Sequence, residues 1–205
     1  MNRLHVLPLA AVACLALAGC SSADPAPRAT APNVDAATPA AARTDDNQEH
    51  TPRGNLAKEI GEPFGIHADD NRDRNVVTYV VKGIEVDPQC TNPYPQEPEH
   101  GRFIAVDMEV ETAADPEFTE VMQIPISPSA HSFKMIDANG TTVNSVSSGP
   151  SYGCLNQSEM MPSQVGPDER ATGKIILDVP SAEGTLIYRE AVMADGGWEF
   201  EIPAE

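Results

Sequence analysis

Along residues 54–205 the apolar positions recur every second residue, the period of a strand, and nowhere sustain the three-to-four spacing of a long helix. Residues 76–86 read VVTYVVKGIEV, rich in β-branched side chains that suit a pleated sheet. In residues 103–110, Phe103, Ala105, Asp107 and Glu109 alternate with Ile104, Val106, Met108 and Val110, which predicts one apolar face and one mixed face. Further strands are expected at 132–137, 141–146, 174–179, 185–189 and 198–202, with a possible first strand at 63–67 and a short helical turn over 54–60. Asp137-Ala138-Asn139-Gly140 lies between two such runs and predicts a hairpin, because Asn-Gly tolerates the positive φ of a tight turn. Many short strands and no long helix indicate an all-β fold, an antiparallel β-sandwich of about seven to nine strands. In the terminal pattern Trp198-Glu199-Phe200-Glu201-Ile202, Trp198 is expected to face inward.

The pattern changes abruptly upstream of this domain. Arg3 provides a positive start, residues 6–18 form an apolar run too short to span a bilayer, and Leu17-Ala18-Gly19-Cys20 ends that run on small residues and a cysteine. This resembles a bacterial lipoprotein signal, which implies cleavage after residue 19, lipid on the sulfur of Cys20 and anchoring at the extracytoplasmic face of the cell membrane. Residues 21–53 are dominated by Ala, Pro, Thr and Asp with almost no large apolar side chain, the composition of a disordered tether. The expected organisation is a signal peptide over 1–19, the lipidated cysteine and tether over 20–53, and one sandwich domain over 54–205.

Charge and cysteines narrow the functional classes. The chain carries a net charge of −18, and residues 54–205 hold 26 acids against nine bases, a net of −17. Such a surface repels phosphate backbones and anionic headgroups, which argues against nucleic-acid binding and against membrane binding through charge. With Cys14 in the discarded leader and Cys20 lipidated, Cys90 and Cys154 remain as an even pair in an oxidising compartment, so a disulfide is expected.

Taken in order, several short stretches resemble an immunoglobulin-like lipoprotein family known among bacterial domains of unknown function and related in fold to a secreted mycobacterial immunoprotective antigen. They are Ile60-Gly61-Glu62, Gly101-Arg102-Phe103-Ile104-Ala105-Val106, Phe133-Lys134-Met135-Ile136-Asp137 before the Asn139-Gly140 turn, Val165-Gly166-Pro167-Asp168-Glu169, the run from Gly173 to Pro180, and Leu186-Ile187-Tyr188. The resemblance covers roughly residues 60–202 and implies an extracytoplasmic sandwich with no assigned catalysis. Two departures stand out: Glu111-Thr112-Ala113 after the strand, and a proline-rich insert at 88–98 that carries Cys90.

Motifs that suggest chemistry are incomplete. Gly149-Pro150-Ser151-Tyr152-Gly153 matches the G-x-S-x-G of a hydrolase nucleophile elbow, but residues 147–150 read as a loop and no histidine follows Ser151. Asp69, Asn71 and Asp73 open like a calcium loop, yet Arg74 and Val80 stand where glycine and a bidentate glutamate belong. His131 with Met135, Met160 and Met161 offers soft ligands for copper, although methionine is also an ordinary core filler. His50, His67 and His100 fall near polar loops and are read as solvent-facing. No enzyme activity, resident metal or cofactor is expected. Tyr94 and Tyr152 lie close to the two cysteines, so a disulfide-pinned loop pair displaying them is the expected interaction edge. The function that follows is a non-catalytic, lipid-anchored binding module, its protein or cell-envelope partner unspecified; the alternative is a copper- or calcium-binding lipoprotein.

Overall fold

The computed structural model describes residues 50–68, 74–193 and 195–204. The leader, Cys20, residues 21–49 and residues 69–73, which include Asp69 and Asp73, lie outside the described residues.

The described residues form an all-β sandwich of two four-stranded sheets. The first has the order β1-β8-β7-β5, made of β1 (Leu56–Ala57), β8 (Trp198–Glu201), β7 (Gly184–Tyr188) and β5 (Phe133–Asp137). The second has the order β2-β3-β4-β6, made of β2 (Pro63–His67), β3 (Asn75–Val86), β4 (Arg102–Thr112) and β6 (Arg170–Val179). The pairings are antiparallel except that of β1 with β8, which is parallel. Between the sheets the apolar alternates interdigitate: Val77, Tyr79, Val81, Ile104, Val106, Met108 and Leu177 from one face Met135, Leu186, Tyr188, Trp198 and Phe200 from the other. Phe64, Tyr79, Tyr188, Trp198 and Phe200 form an aromatic knot with centroid separations from 4.7 to 6.1 Å. Pairs at this spacing each add about 0.5–1.5 kcal/mol beyond the area they bury.

Several expectations require correction. Residues 54–60 contain no helical turn. Leu56 N donates to Gly197 O (2.9 Å) and Lys58 N to Glu199 O (2.8 Å), so pairing with the β8 edge overrides the local tendency. The Asn139-Gly140 turn forms as expected, with Gly140 at φ 81 and Asp137 Oδ1 accepting from Asn139 N (2.9 Å) and Thr141 N (2.8 Å). Its return arm is not a strand, however. After Val143 N donates to Met135 O, the chain leaves β5 and Val146 O accepts from Asp178 N on β6 of the other sheet (2.9 Å). The arm crosses the open side of the sandwich instead of completing a hairpin. The residues around Ser151 form a one-turn helix, α2 (Gly149–Tyr152), in place of the expected loop, and a six-residue helix, α1 (Glu117–Met122), buries Phe118 and Met122 in the core.

The outer face of β4 and β6 departs from simple alternation. Phe103 through Val106 are all buried, as are Ile175 through Val179. Beneath the 146–161 segment a satellite cluster forms from Phe103, Ala105, Cys154, Leu155 and Ile176, with Cys90 and Met160 packed against it. Gly173 makes this possible, since a Cβ there would stand 2.5 Å from the Met160 carbonyl carbon and 2.5 Å from Met161 N.

Candidate binding edge

The connection between β3 and β4, residues 87–101, is proline-rich and has no partner strand, so its shape depends on anchors. Three sets hold it. Cys90 and Cys154 are joined in a disulfide, with Cα atoms 4.6 Å apart. Behind that bond, Thr91 N and Asn92 N donate to Cys154 O (2.9 and 3.0 Å), Asn156 N donates to Thr91 Oγ1 (3.0 Å), and Asn156 Nδ2 donates to Thr91 O (3.1 Å). Glu159 accepts from Thr91 Oγ1 and from Asn156 Nδ2, and these hydrogen bonds, Thr91's foremost, hold its carboxyl below the usual range.

The third anchor is Asp178 on β6, fully buried. Its two carboxylate oxygens accept from Glu99 N (2.8 Å), His100 N (3.0 Å) and Ser148 Oγ (2.5 Å). A single carboxylate thus fixes both the end of the insert and the N-cap of α2. Ser148 in turn closes a reciprocal cap: its Oγ accepts from Ser151 N (3.3 Å) while Ser151 Oγ accepts from Ser148 N (3.2 Å). A buried carboxylate with all its partners in place is a rigid device, and expensive to disturb.

The braced loops display the two tyrosines singled out from the sequence. Tyr94 is 87% exposed, with its backbone N–H tied to Asn92 Oδ1 (3.0 Å), and Tyr152 is 48% exposed on α2. The disulfide joins their loops, but the ring of Tyr152 turns to His131, whose Nε2 lies 3.1 Å from the phenol oxygen. His131 lies in turn on the rim of an apolar groove of about 300 Å³ walled by Met122, Ile124, Pro125, Ile126 and Val192. Ile124 is 66% exposed there, an arrangement without any evident sequence signal, because its wall is assembled from segments some 60 residues apart. Beside the groove, buried Glu190 accepts from the Tyr188 hydroxyl. Burial first, and then the neighbouring Tyr79 and Glu190, push the Tyr188 phenol far above its ordinary range, so it stays a neutral donor.

The remaining candidates do not gather into a site. Ser151 is 1% exposed, and its hydroxyl is spent on Ser148 N and Ser148 O (2.9 Å). Met161 packs in the main core and Met160 in the satellite cluster on the other side of the sheet, while Met135 is buried on β5; His131 faces Tyr152. Among the described residues no three His, Cys, Asp or Glu side chains are grouped as metal ligands. Asp69 and Asp73 fall outside the described residues.

A further polar hub escaped the sequence reading. Glu199 is buried on the outer face of β8, where its carboxylate accepts from Arg53 Nε (3.1 Å) and Nη2 (2.9 Å), Asn55 Nδ2 (2.6 Å) and Thr51 Oγ1 (2.8 Å). Burial would raise its pKa, but the hydrogen bonds from Arg53, Asn55 and Thr51 outweigh that and hold it below the usual carboxylate range. The chain entering the domain is thereby clasped to the last strand. The alternation Trp198-Glu199-Phe200 was visible; that the glutamate side is covered was not.

No protein-family model matches the chain, and no curated protein matches it. Among solved structures it is similar to MPT63, a secreted protein of Mycobacterium tuberculosis, at 16% identity and a TM-score of 0.43 over 71% of this chain and 98% of that one. It is also similar to YcdA of Bacillus subtilis, described as a candidate lipoprotein, at 12% identity and a TM-score of 0.40 over 63% of this chain and 38% of that one.

Proposed function

We propose that this protein is a lipid-anchored extracytoplasmic lipoprotein whose sandwich is a non-catalytic binding module, with its contact edge on the disulfide-joined loops that display Tyr94 and Tyr152. The observation that carries this reading is the exposure of Tyr94 on a loop held by a disulfide, by Asp178 and by the Thr91–Asn156 pair. Exposed aromatics are costly to solvate, and rigid display removes the ordering entropy that a mobile loop would lose on binding. Location rests on the signal-like leader ending at Cys20 and on a disulfide that needs an oxidising compartment.

The test uses the full chain expressed in bacteria that process lipoproteins. Cys20→Ser is expected to move the protein from the detergent phase to the aqueous phase. In cells carrying the anchored protein, a chemically cross-linked complex should lose at least about tenfold in yield when Tyr94→Ala and Tyr152→Ala are combined, because two interface aromatics together are worth more than 1.4 kcal/mol. A complex formed equally well by the double variant contradicts the edge; an aqueous wild type contradicts the anchor.

A further inference from the structure

The three buried carboxylates among the described residues are not equally served. Asp178 accepts three hydrogen bonds, and Glu199 accepts four, two of them from Arg53. Glu190, 6% exposed, accepts one, at Oε1 from the Tyr188 hydroxyl, and forms no ion pair among the described residues. Its Oε2 has no donor among them and is not one of the sealed, unpartnered side-chain atoms, so it keeps contact with the groove that Glu190 lines. Taking a carboxylate out of water costs several kcal/mol unless a cation or several donors replace the lost hydration. On this oxygen that replacement is missing.

The groove itself shows what the missing group is attached to. Ile124 and Val192 are two of the five large hydrophobic side chains left exposed among the described residues, and both stand on its wall with Met122, Pro125 and Ile126. Arg189 also borders it, but as an exposed residue whose Nη2 donates to Met193 O (2.8 Å), and an exposed charge is screened by salt where a buried one is not. Glu190 therefore sets the sign of the site. We propose that the groove between residues 122–132 and 189–192 binds a small organic cation, a primary ammonium on a compact apolar body, with the ammonium donating to Glu190 Oε2 and the body packed on Ile124 and Val192. Its volume of about 300 Å³ lies at the lower end of small-molecule sites, and an apolar wall with one convergent polar group is their usual chemistry. This site is separate from the Tyr94 loop and stands or falls without it.

The probe is 2-phenylethylamine, titrated into isotope-labelled residues 20–205 carrying Cys20→Ser, a form of the full mature chain that needs no detergent to compete for an apolar groove. Saturable amide shifts are expected, confined to residues 122–132 and 188–193. The neutral isostere 2-phenylethanol should bind at least about tenfold more weakly, since it forgoes a hydrogen bond to a buried charge, and 3-phenylpropanoate more weakly still. Glu190→Gln should weaken the amine at least about tenfold and change the alcohol less than about twofold. Ile124→Ser, at an exposed position outside the core, should weaken amine and alcohol by the same factor. An absence of saturation, shifts spread over the acidic surface, alcohol or acid binding as tightly as the amine, or an amine affinity indifferent to Glu190→Gln would each overturn the proposal. Should Glu190→Gln fail to fold, the comparison of amine with alcohol on the chain that retains Glu190 decides alone.

Discussion

Asp178→Ala tests the bracing of the edge. The carboxylate is fully buried and accepts from Glu99 N, His100 N and Ser148 Oγ, so truncation leaves three donors without their acceptor. A hydrogen bond to a charged group contributes about 1.5–3 kcal/mol, while the mutant escapes the cost of burying a carboxylate. Glu99 and His100 are exposed residues, whereas Ser148 is buried. The balance is a loss of about 3 kcal/mol, most of it from the Ser148 cap and the buried cavity. For a domain of this size that lowers Tm by roughly 6–12 °C. Denaturant unfolding with the disulfide kept oxidised gives the free energy, and amide hydrogen exchange locates it. Protection should fall at Glu99 and His100 more than at β7 or β8. A loss below about 1 kcal/mol, or unchanged protection at those two amides, would refute the claim that Asp178 is the brace.

Three further outcomes are expected. Replacing both Cys90 and Cys154 with serine should cost about 4 kcal/mol by the chain-entropy account of a link 64 residues apart, seen as an earlier urea midpoint. Glu199 has a folded pKa below its unfolded value of 4.5, so its clasp adds stability that is fully present above pH 4.5 and is lost as pH falls through the folded pKa; Glu199→Gln should flatten the pH dependence of unfolding in that acid window. Gly173→Ala drives a methyl into the Met160–Met161 backbone and should cost about 1–3 kcal/mol and loosen the satellite cluster, measurable as increased exchange at Met161, whose N–H donates to Lys174 O (3.0 Å).

What the sequence disclosed follows from how far each determinant reaches along the chain. Period-two patterns are local, and β3, β4, β6, β7 and β8 appear close to where residues 76–86, 103–110, 174–179, 185–189 and 198–202 suggest. Asn139-Gly140 is local as well, and its turn is as expected. The return arm is not, because Val146 is claimed by Asp178 from the other sheet. β1 is non-local for the same reason: its two residues pair with a strand more than 140 positions away. Helix α1 is shorter than the window over which a helical period can be recognised, and its only trace is the Phe118/Met122 spacing. At the edge, the disulfide agrees with cysteine count and compartment, and Tyr94 and Tyr152 are exposed, Tyr94 on its loop and Tyr152 on the short helix α2. The Asp178 and Glu199 hubs were hidden because a carboxylate in a strand pattern reads as solvent-facing until the segment covering it is known.

The most direct test of the binding edge is site-specific photocrosslinking in cells, with a photoreactive phenylalanine analogue at Tyr94 of the anchored protein and, separately, at exposed Glu111 on β4. The account predicts one discrete adduct from position 94, lost when Asp178 is changed to alanine, with none from position 111. Adducts of equal yield from both positions, or none from position 94, would contradict it.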